Sequence, residues 1–299
     1  MNNNNVLRKK IMETGIIMCP GVYDCISARI AERSGYQVIC TSGFGIAGSQ
    51  FGYPDLGLLT ATEMLHAAGH IAKSVNIPLI ADIDTGYGNP LNVIRTVEEV
   101  VALGISGIIL EDQEWPKKCG HLEGKRLVST EEHVKKIHAA KFARGESGLV
   151  IIARTDARAN LGLAEAICRG RAYYEAGADV VFIEAPQSKE ELKEISAAFP
   201  TVPLLANIIE GGKTPCLSIQ ELGEMGFKLG VFALSGLLAA YKAIADCFRF
   251  LKQNGTTVGF ENMVSFKEYG EMIDIRKYQE LEEKFSTQNP SKTINLQND

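Results

Sequence analysis

The chain has 299 residues, 45% of them hydrophobic and 22% charged, a balance that belongs to a globular protein and excludes a disordered chain, a collagen and a coiled coil. A formal net charge of −5, with no Lys/Arg run longer than two residues after Lys10, excludes a nucleic-acid footprint. Small molecules are therefore the expected partners.

No stretch of 18 apolar residues occurs, and Met1-Asn2-Asn3-Asn4-Asn5 leads to Arg8-Lys9-Lys10 without an apolar signal core, so a cytoplasmic protein without membrane contact is expected. Seven cysteines, at 19, 25, 40, 119, 168, 216 and 247, form no C-x-x-C pair and read as reduced thiols.

In chain order, eight apolar runs without alternation fall at residues 16–19, 37–41, 78–81, 107–110, 149–153, 180–183, 202–206 and 228–232. Strands buried on both faces read this way. Each run is separated from the next by enough chain for a crossover helix, so the expected fold is α/β, a (β/α)8 barrel of the TIM type. Asp24 predicts a helix cap over 25–34 before Gly35, and Ser129-Thr130-Glu131-Glu132 reads as a capping box opening a helix to about Arg144. Gly104 and Gly177 each mark a helix C-cap just ahead of a strand. Past the eighth run, Leu237, Leu238, Tyr241, Ile244, Ala245, Phe248 and Leu251 recur at helical spacing, and a further helical region is expected over 266–285. This organisation predicts one domain over 1–285, a barrel with a C-terminal helical extension that needs a partner surface. A polar, disordered tail is expected over 286–299.

Two motifs read as decoys. Gly43-Phe44-Gly45-Ile46-Ala47-Gly48 matches the dinucleotide fingerprint after a strand, but Gly52, Pro54 and Gly57 are expected to forbid the helix that such a fingerprint opens. His66 and His70 lie four apart without the glutamate of a zinc protease and read as surface histidines.

The informative residues stand at the C-terminal ends of the predicted strands, where a barrel assembles its active site. These ends are Thr41-Ser42-Gly43, Asp82-x-Asp84, Glu111-Asp112-Gln113, Arg154-Thr155-Asp156, Glu184 and Asn207. Asp82, Asp84 and Glu111 offer hard oxygen ligands with no thiolate or imidazole companion, which points to Mg2+, with Mn2+ as its substitute. Arg154 supplies a planar fork for an anion. The segment from Gln113 to Arg126 is long for a loop and reads as a mobile lid. In it Cys119 follows Lys117-Lys118 and precedes Gly120-His121, cationic surroundings that predict a readily ionised thiol and a proton donor near neutral pH.

With these residues assembled, Glu-Asp-Gln-x-x-x-Lys-Lys-Cys-Gly-His after an Asp82-x-Asp84 strand end resembles the isocitrate lyase/phosphoenolpyruvate mutase superfamily. The likeness runs from Pro20-Gly21-Val22-Tyr23-Asp24 through Ile152-Ala153-Arg154-Thr155-Asp156 and Leu205-Ala206-Asn207 to about Phe285. It implies a Mg2+-dependent barrel that cleaves or forms C–C or C–P bonds beside a carboxylate, with a gating loop and a terminal helix exchanged between subunits of a homo-oligomer, a dimer of dimers. It assigns substrate contacts to Ser42, Gly43, Phe44, Gly120, Arg154 and Asn207, metal binding to Asp82 and Asp84, and contact through water to Glu111. Cys119, His121, Glu184 and Arg154 carry the chemistry. The Lys-Lys-Cys-Gly-His loop is similar to that of the lyase branch, which includes methylisocitrate and 2,3-dimethylmalate lyases, whereas phosphoenolpyruvate mutases carry an Asn there.

Methylisocitrate lyases place one Arg after the eighth strand and another near the C-terminus; here the two regions read Leu234-Ser235-Gly236-Leu237-Leu238 and Met263-Val264-Ser265-Phe266. A third substrate carboxylate would be left desolvated and unpaired, which disfavours a tricarboxylate. The expected reaction is cleavage of a 2-hydroxy diacid with an apolar substituent, a 2-alkylmalate, to an α-keto acid and a carboxylate. The rivals are a carboxyphosphonoenolpyruvate-type phosphonomutase, an oxaloacetate hydrolase or decarboxylase and, from another class, a binding protein on an inherited barrel.

Overall fold

Eight parallel strands close in chain order into a barrel in the computed structural model, which describes residues 3–286. They are β1 Ile17–Val22, β2 Ile39–Thr41, β3 Leu79–Asp82, β4 Gly107–Glu111, β5 Val150–Thr155, β6 Val180–Ile183, β7 Leu204–Ile208 and β8 Leu229–Phe232. β8 closes on β1 with Ile17 opposite Leu229 and Pro20 opposite Phe232. Every run expected from the sequence contains or overlaps one of these strands. The runs lack alternation because both faces are buried: Ile80, Ile109, Ile152, Phe182, Leu205 and Val231 pack in one interior cluster, while their neighbours Ala81, Ile108, Leu110 and Ile151 pack in another.

The helix boundaries obey the expected punctuation. Asp24 and Ser27 cap each other at the start of Cys25–Arg33, and the Ser129 hydroxyl accepts from the Glu132 amide to open Thr130–Arg144. Gly104 and Gly177 take φ of 75° and 110°, the left-handed region in which a Cβ is strained. One expectation fails: residues 43–51 are helical, an α-turn Gly43–Ile46 continued by a π-turn Ala47–Phe51. The breakers begin only at Gly52, whose φ of 70° ends the segment, so nine residues were free to coil.

The N-terminal helix Asn3–Met12 carries no strong sequence signal, and it is the barrel's stopper. Leu7 is fully buried in the interior cluster beside Ile80 and Val150, and a Cβ on Gly107 would come within 3.0 Å of it. Arg8 grips Asp179 with two hydrogen bonds of 2.9 Å, and Asp179 also accepts from the Ile151 amide at 2.8 Å.

After β8 come the helices Ser235–Asn254, Phe266–Met272 and Ile275–Phe285, the second expected region being broken at Asp274. The chain divides into two compact units, one ending at Leu238 and one beginning at Ala239. In the second unit Tyr241, Ile244, Phe248 and Leu251 are exposed along one helix. The tail expected to be disordered lies, beyond Ser286, outside the described residues. No described helix is long and apolar enough to cross a membrane.

Candidate active site

Ser42, Asp82, Glu111, Arg154, Glu184 and Asn207 each stand two positions beyond an interior residue of their strand: Cys40, Ile80, Ile109, Ile152, Phe182 and Leu205. The two-residue period of a strand therefore turns all six toward the barrel axis at its C-terminal mouth. Five of them, with Gly43, Phe44, Cys119, Gly120 and His121, line a cavity of about 60 Å3, and Glu111 backs it through Arg154. Apart from Thr41 and Asp55, the remaining wall is apolar, with Ile209, Val231, Ala233 and Leu234 among its residues. Arg154 is the sole Lys or Arg in that lining among the described residues.

The guanidinium of Arg154 is less free than its sequence position suggested. Its Nε and Nη2 make a paired contact with Asp156 at 3.0 and 3.1 Å, Nη1 lies 3.2 Å from Glu111 and Nη2 3.5 Å from Glu184. Burial alone would push Asp156 up, but Arg154 and Lys125 outweigh it and hold the carboxyl down at about 2. The Ser42 hydroxyl is likewise partly committed, accepting from the Gly45 amide at 3.0 Å.

Asp84 occupies left-handed backbone, φ 48°, with its amide bonded to Asp82 Oδ1 at 3.0 Å, a strained position of the kind found at functional sites. Its carboxylate is 2.7 Å from Lys117 Nζ, which also bonds Asp55 at 2.5 Å. Burial pushes Asp84 up to about 6 against the opposing pull of Lys117, and burial drives Glu111 well above the usual carboxylate range. Asp55 and Lys125 carry no signal in the sequence, and Lys117 signals there only as a cation beside Cys119. Asp55 lies between the breakers Pro54 and Gly57 and the two lysines lie in the lid segment, yet all three are buried. A signal was present in the acidic excess of the strand ends, which demands buried counter-cations from somewhere.

Six carboxylates at the mouth, Asp55, Asp82, Asp84, Glu111, Asp156 and Glu184, face three cations, Lys117, Lys125 and Arg154. Glu111 Oε1 is buried without a hydrogen-bond partner among the described residues. An oxygen-only donor set with surplus negative charge fits a hard divalent cation. No three His, Cys, Asp or Glu among the described residues form a closed metal-binding group. That is compatible with Mg2+, which is commonly held by one or two carboxylates and keeps waters.

The lid is folded down over this mouth. Gln113 pairs with the Lys118 backbone at 2.8 and 2.9 Å, the Cys119 amide bonds Asp55 O at 3.1 Å, and Lys125 Nζ bonds Gly120 O and Asp156. Gly120 passes so close to the site that a Cβ would stand 2.4 Å from Arg154 Nη2 and 2.5 Å from Glu184 Cγ. The expected ionised thiol is not what the structure contains. Lys117 points to Asp55 and Asp84 and Lys118 toward Glu123 O, so burial dominates and raises the Cys119 pKa. That shift favours the protonated thiol, which is the form a proton donor needs.

Elsewhere, His66 and His70 are exposed on the helix Ala61–Ser74 with their Nε2 atoms 3.2 Å apart.

Comparison with known proteins agrees with this geometry. The family model described as phosphoenolpyruvate phosphomutase matches residues 7–252. The petal death protein of Dianthus caryophyllus is 43% identical over 96% of this chain and 91% of its own length. The 2,3-dimethylmalate lyase of Eubacterium barkeri is 41% identical over 96% of this chain and 99% of its own. Among solved structures, an oxaloacetate acetylhydrolase in complex with 3,3-difluorooxalacetate superposes with a TM-score of 0.91 at 37% identity, covering 95% of this chain and 97% of that one. A closed barrel with its acidic mouth and Cys-Gly-His lid thus sits on a family match that spans most of the sequence, and the chain belongs to the phosphoenolpyruvate phosphomutase family, within the isocitrate lyase/phosphoenolpyruvate mutase superfamily.

Proposed function

We propose that this protein is a Mg2+-dependent carbon–carbon lyase that cleaves a 2-alkylmalate-like 2-hydroxy diacid into an α-keto acid and a carboxylate. The observation that carries the reading is the half-buried Cys119 thiol, its pKa raised by desolvation, held by the lid over a mouth that couples surplus carboxylate oxygens with a single lining arginine. Asp82 and Asp84 would hold the metal and Glu111 one of its waters; Mn2+ would substitute. Bound there, the ion would act as a Lewis acid on the substrate's 2-oxygen.

Arg154, Ser42, the Gly43 and Gly120 backbone and Asn207 would orient the carboxylates, while Phe44 borders the substituent. As the hydroxyl proton passes to solvent water, from which the Cys119 thiol is later reprotonated, and the 2-oxygen becomes a carbonyl, the C2–C3 bond breaks and its electron pair passes to the carbon beside the second carboxylate. Cys119 delivers its thiol proton to that carbon. Glu184, with His121 3.2 Å away, closes the polar wall. The apolar wall of Ile209, Ala233 and Leu234 suits an alkyl branch and offers no partner for a third carboxylate.

A second reading, oxaloacetate hydrolysis, is favoured by the likeness to the oxaloacetate acetylhydrolase. One experiment separates them: the protein with Mg2+ is incubated with a panel of 2-alkylmalates, oxaloacetate and phosphonopyruvate, and the products are followed by NMR. Keto acid from an alkylmalate is expected; oxalate from oxaloacetate alone would establish the second reading, and phosphonate chemistry alone would overturn both.

We also propose a cytoplasmic homo-oligomer, a dimer of dimers with exchanged C-terminal helices, on the strength of the exposed Tyr241, Ile244 and Phe248. A monomer by sedimentation at micromolar concentration would refute it.

A further inference from the structure

The loop that follows β7 belongs to no expected role, yet it meets the lid at its most consequential residue. His121 Nδ1 accepts a hydrogen bond from the Lys213 amide at 2.9 Å. An amide can only donate, so Nδ1 carries no proton and the neutral ring bears its hydrogen on Nε2, 3.2 Å from Glu184 Oε1. Glu184 in turn lies 3.5 Å from Arg154 and accepts from Asn207 at 3.3 Å. Seating one lid residue therefore orients a whole wall of the site.

The seat is closely gauged. A Cβ on Gly212 would stand 2.6 Å from His121 Nδ1 and 2.9 Å from Cε1, with no room for both. The Gly212 amide is fixed to Ile209 O at 2.9 Å, and Ile209 lines the cavity, so the loop cannot easily retreat. Gly212 does not have the positive φ that would by itself demand glycine. The imidazole is the nearest group that the missing side chain spares, ahead of Ile209 O at 3.0 Å.

We propose that Gly212 and the Lys213 amide form the socket that registers the closed lid, and that His121 is a positioning residue which acts through Glu184 rather than a proton carrier. The kinetic part rests on the lyase reading; the socket itself does not. Cys119 and Gly120 are adjacent to His121, so a lid that cannot seat His121 also withdraws the acid from the substrate.

The test compares the native protein with Gly212→Ala, His121→Ala and the double variant. Trp115 is the chain's single tryptophan, lies on the lid and packs edge-on to Tyr87 with ring centres 5.6 Å apart, so its emission reports lid position. Iodoacetamide labelling of Cys119, read by mass spectrometry of its peptide, reports access to the thiol. Without substrate, Gly212→Ala should shift Trp115 emission to the red and speed Cys119 labelling about tenfold. On the substrate found by the panel, kcat should fall about tenfold to a hundredfold with a smaller change in KM.

His121→Ala should reproduce these effects, and adding Gly212→Ala to it should change little, because the clashing ring has gone. Native emission and labelling in Gly212→Ala would overturn the proposal, as would effects that multiply in the double variant. The expected lid readouts in the variants, together with no turnover by the native protein on any panel substrate, would sink the lyase reading and leave the socket standing.

Discussion

Glu111 and Asp112 are consecutive carboxylates at the end of β4, and they open onto two different regions. Asp112 faces outward into a clasp behind the barrel wall, where it accepts from Thr155 Oγ1 at 2.7 Å, Tyr173 OH at 2.8 Å, the Asp156 amide at 2.9 Å and Arg169 at 3.0 Å. Glu111 faces the mouth, where Arg154 is 3.2 Å away and neither carboxylate oxygen has a hydrogen-bond partner among the described residues. Both are buried, so burial does not distinguish them. Donor supply does: a carboxylate with all its donors holds the fold, whereas one left short of them in a cavity is set for a ligand.

Four changes would break or sharpen that contrast. On the mouth side, Asp84→Ala should lower kcat by about three orders of magnitude, since it removes a proposed metal ligand, while thermal unfolding stays near the native temperature. Full activity of the native enzyme in excess chelator would contradict it. Cys119→Ser should lower kcat about a hundredfold to a thousandfold, because a hydroxyl is a far weaker acid than a thiol, while Mg2+ affinity by calorimetry is unchanged.

The clasp should answer in stability instead. Asp112→Ala strands the buried Arg169 and should cost about 3 kcal/mol, or about 10 °C in Tm, with a much smaller loss of turnover per folded molecule than Asp84→Ala. Equal losses of turnover in the two variants would erase the distinction.

The smallest effect concerns His133, whose ring centre is 4.5 Å from that of Tyr173 in the clasp. Burial, aided by Lys136 and Arg169, pushes its pKa down from 6.5 to about 3. Between those values the unfolded chain binds a proton that the folded one refuses, so stability falls as the pH drops below 6.5. By pH 5 the loss is about 2 kcal/mol. His133→Phe should flatten the dependence of Tm on pH between 6.5 and 5, and an unchanged slope would show that other groups carry it.

The barrel was legible because its evidence is redundant. Each run such as Leu149 to Ala153 had to be apolar on both faces, and capping residues such as Asp24 and Ser129 signal through local hydrogen bonds that need no tertiary context. The strand-end residues followed from the same register, two positions beyond the interior. What the sequence hid were the outcomes of competition in three dimensions. Lys117 could have ionised Cys119 or neutralised Asp55 and Asp84, and only the fold shows that two carboxylates outbid one thiol. Asp55 comes from a loop with no periodicity, and the coil at 43–51 depended on how far the breakers sat from Gly43.

The stopper helix has a consequence for biosynthesis. Leu7 belongs to the interior cluster that also includes Leu229 and Val231 of β8, so a helix that is synthesised before every barrel strand cannot complete its seat until the last strand has emerged. Its ten residues must wait through more than two hundred others, a long-range closure that comes late and slowly. Until it docks, the barrel's floor lacks the apolar cover that Leu7 and Ile11 supply in the folded chain.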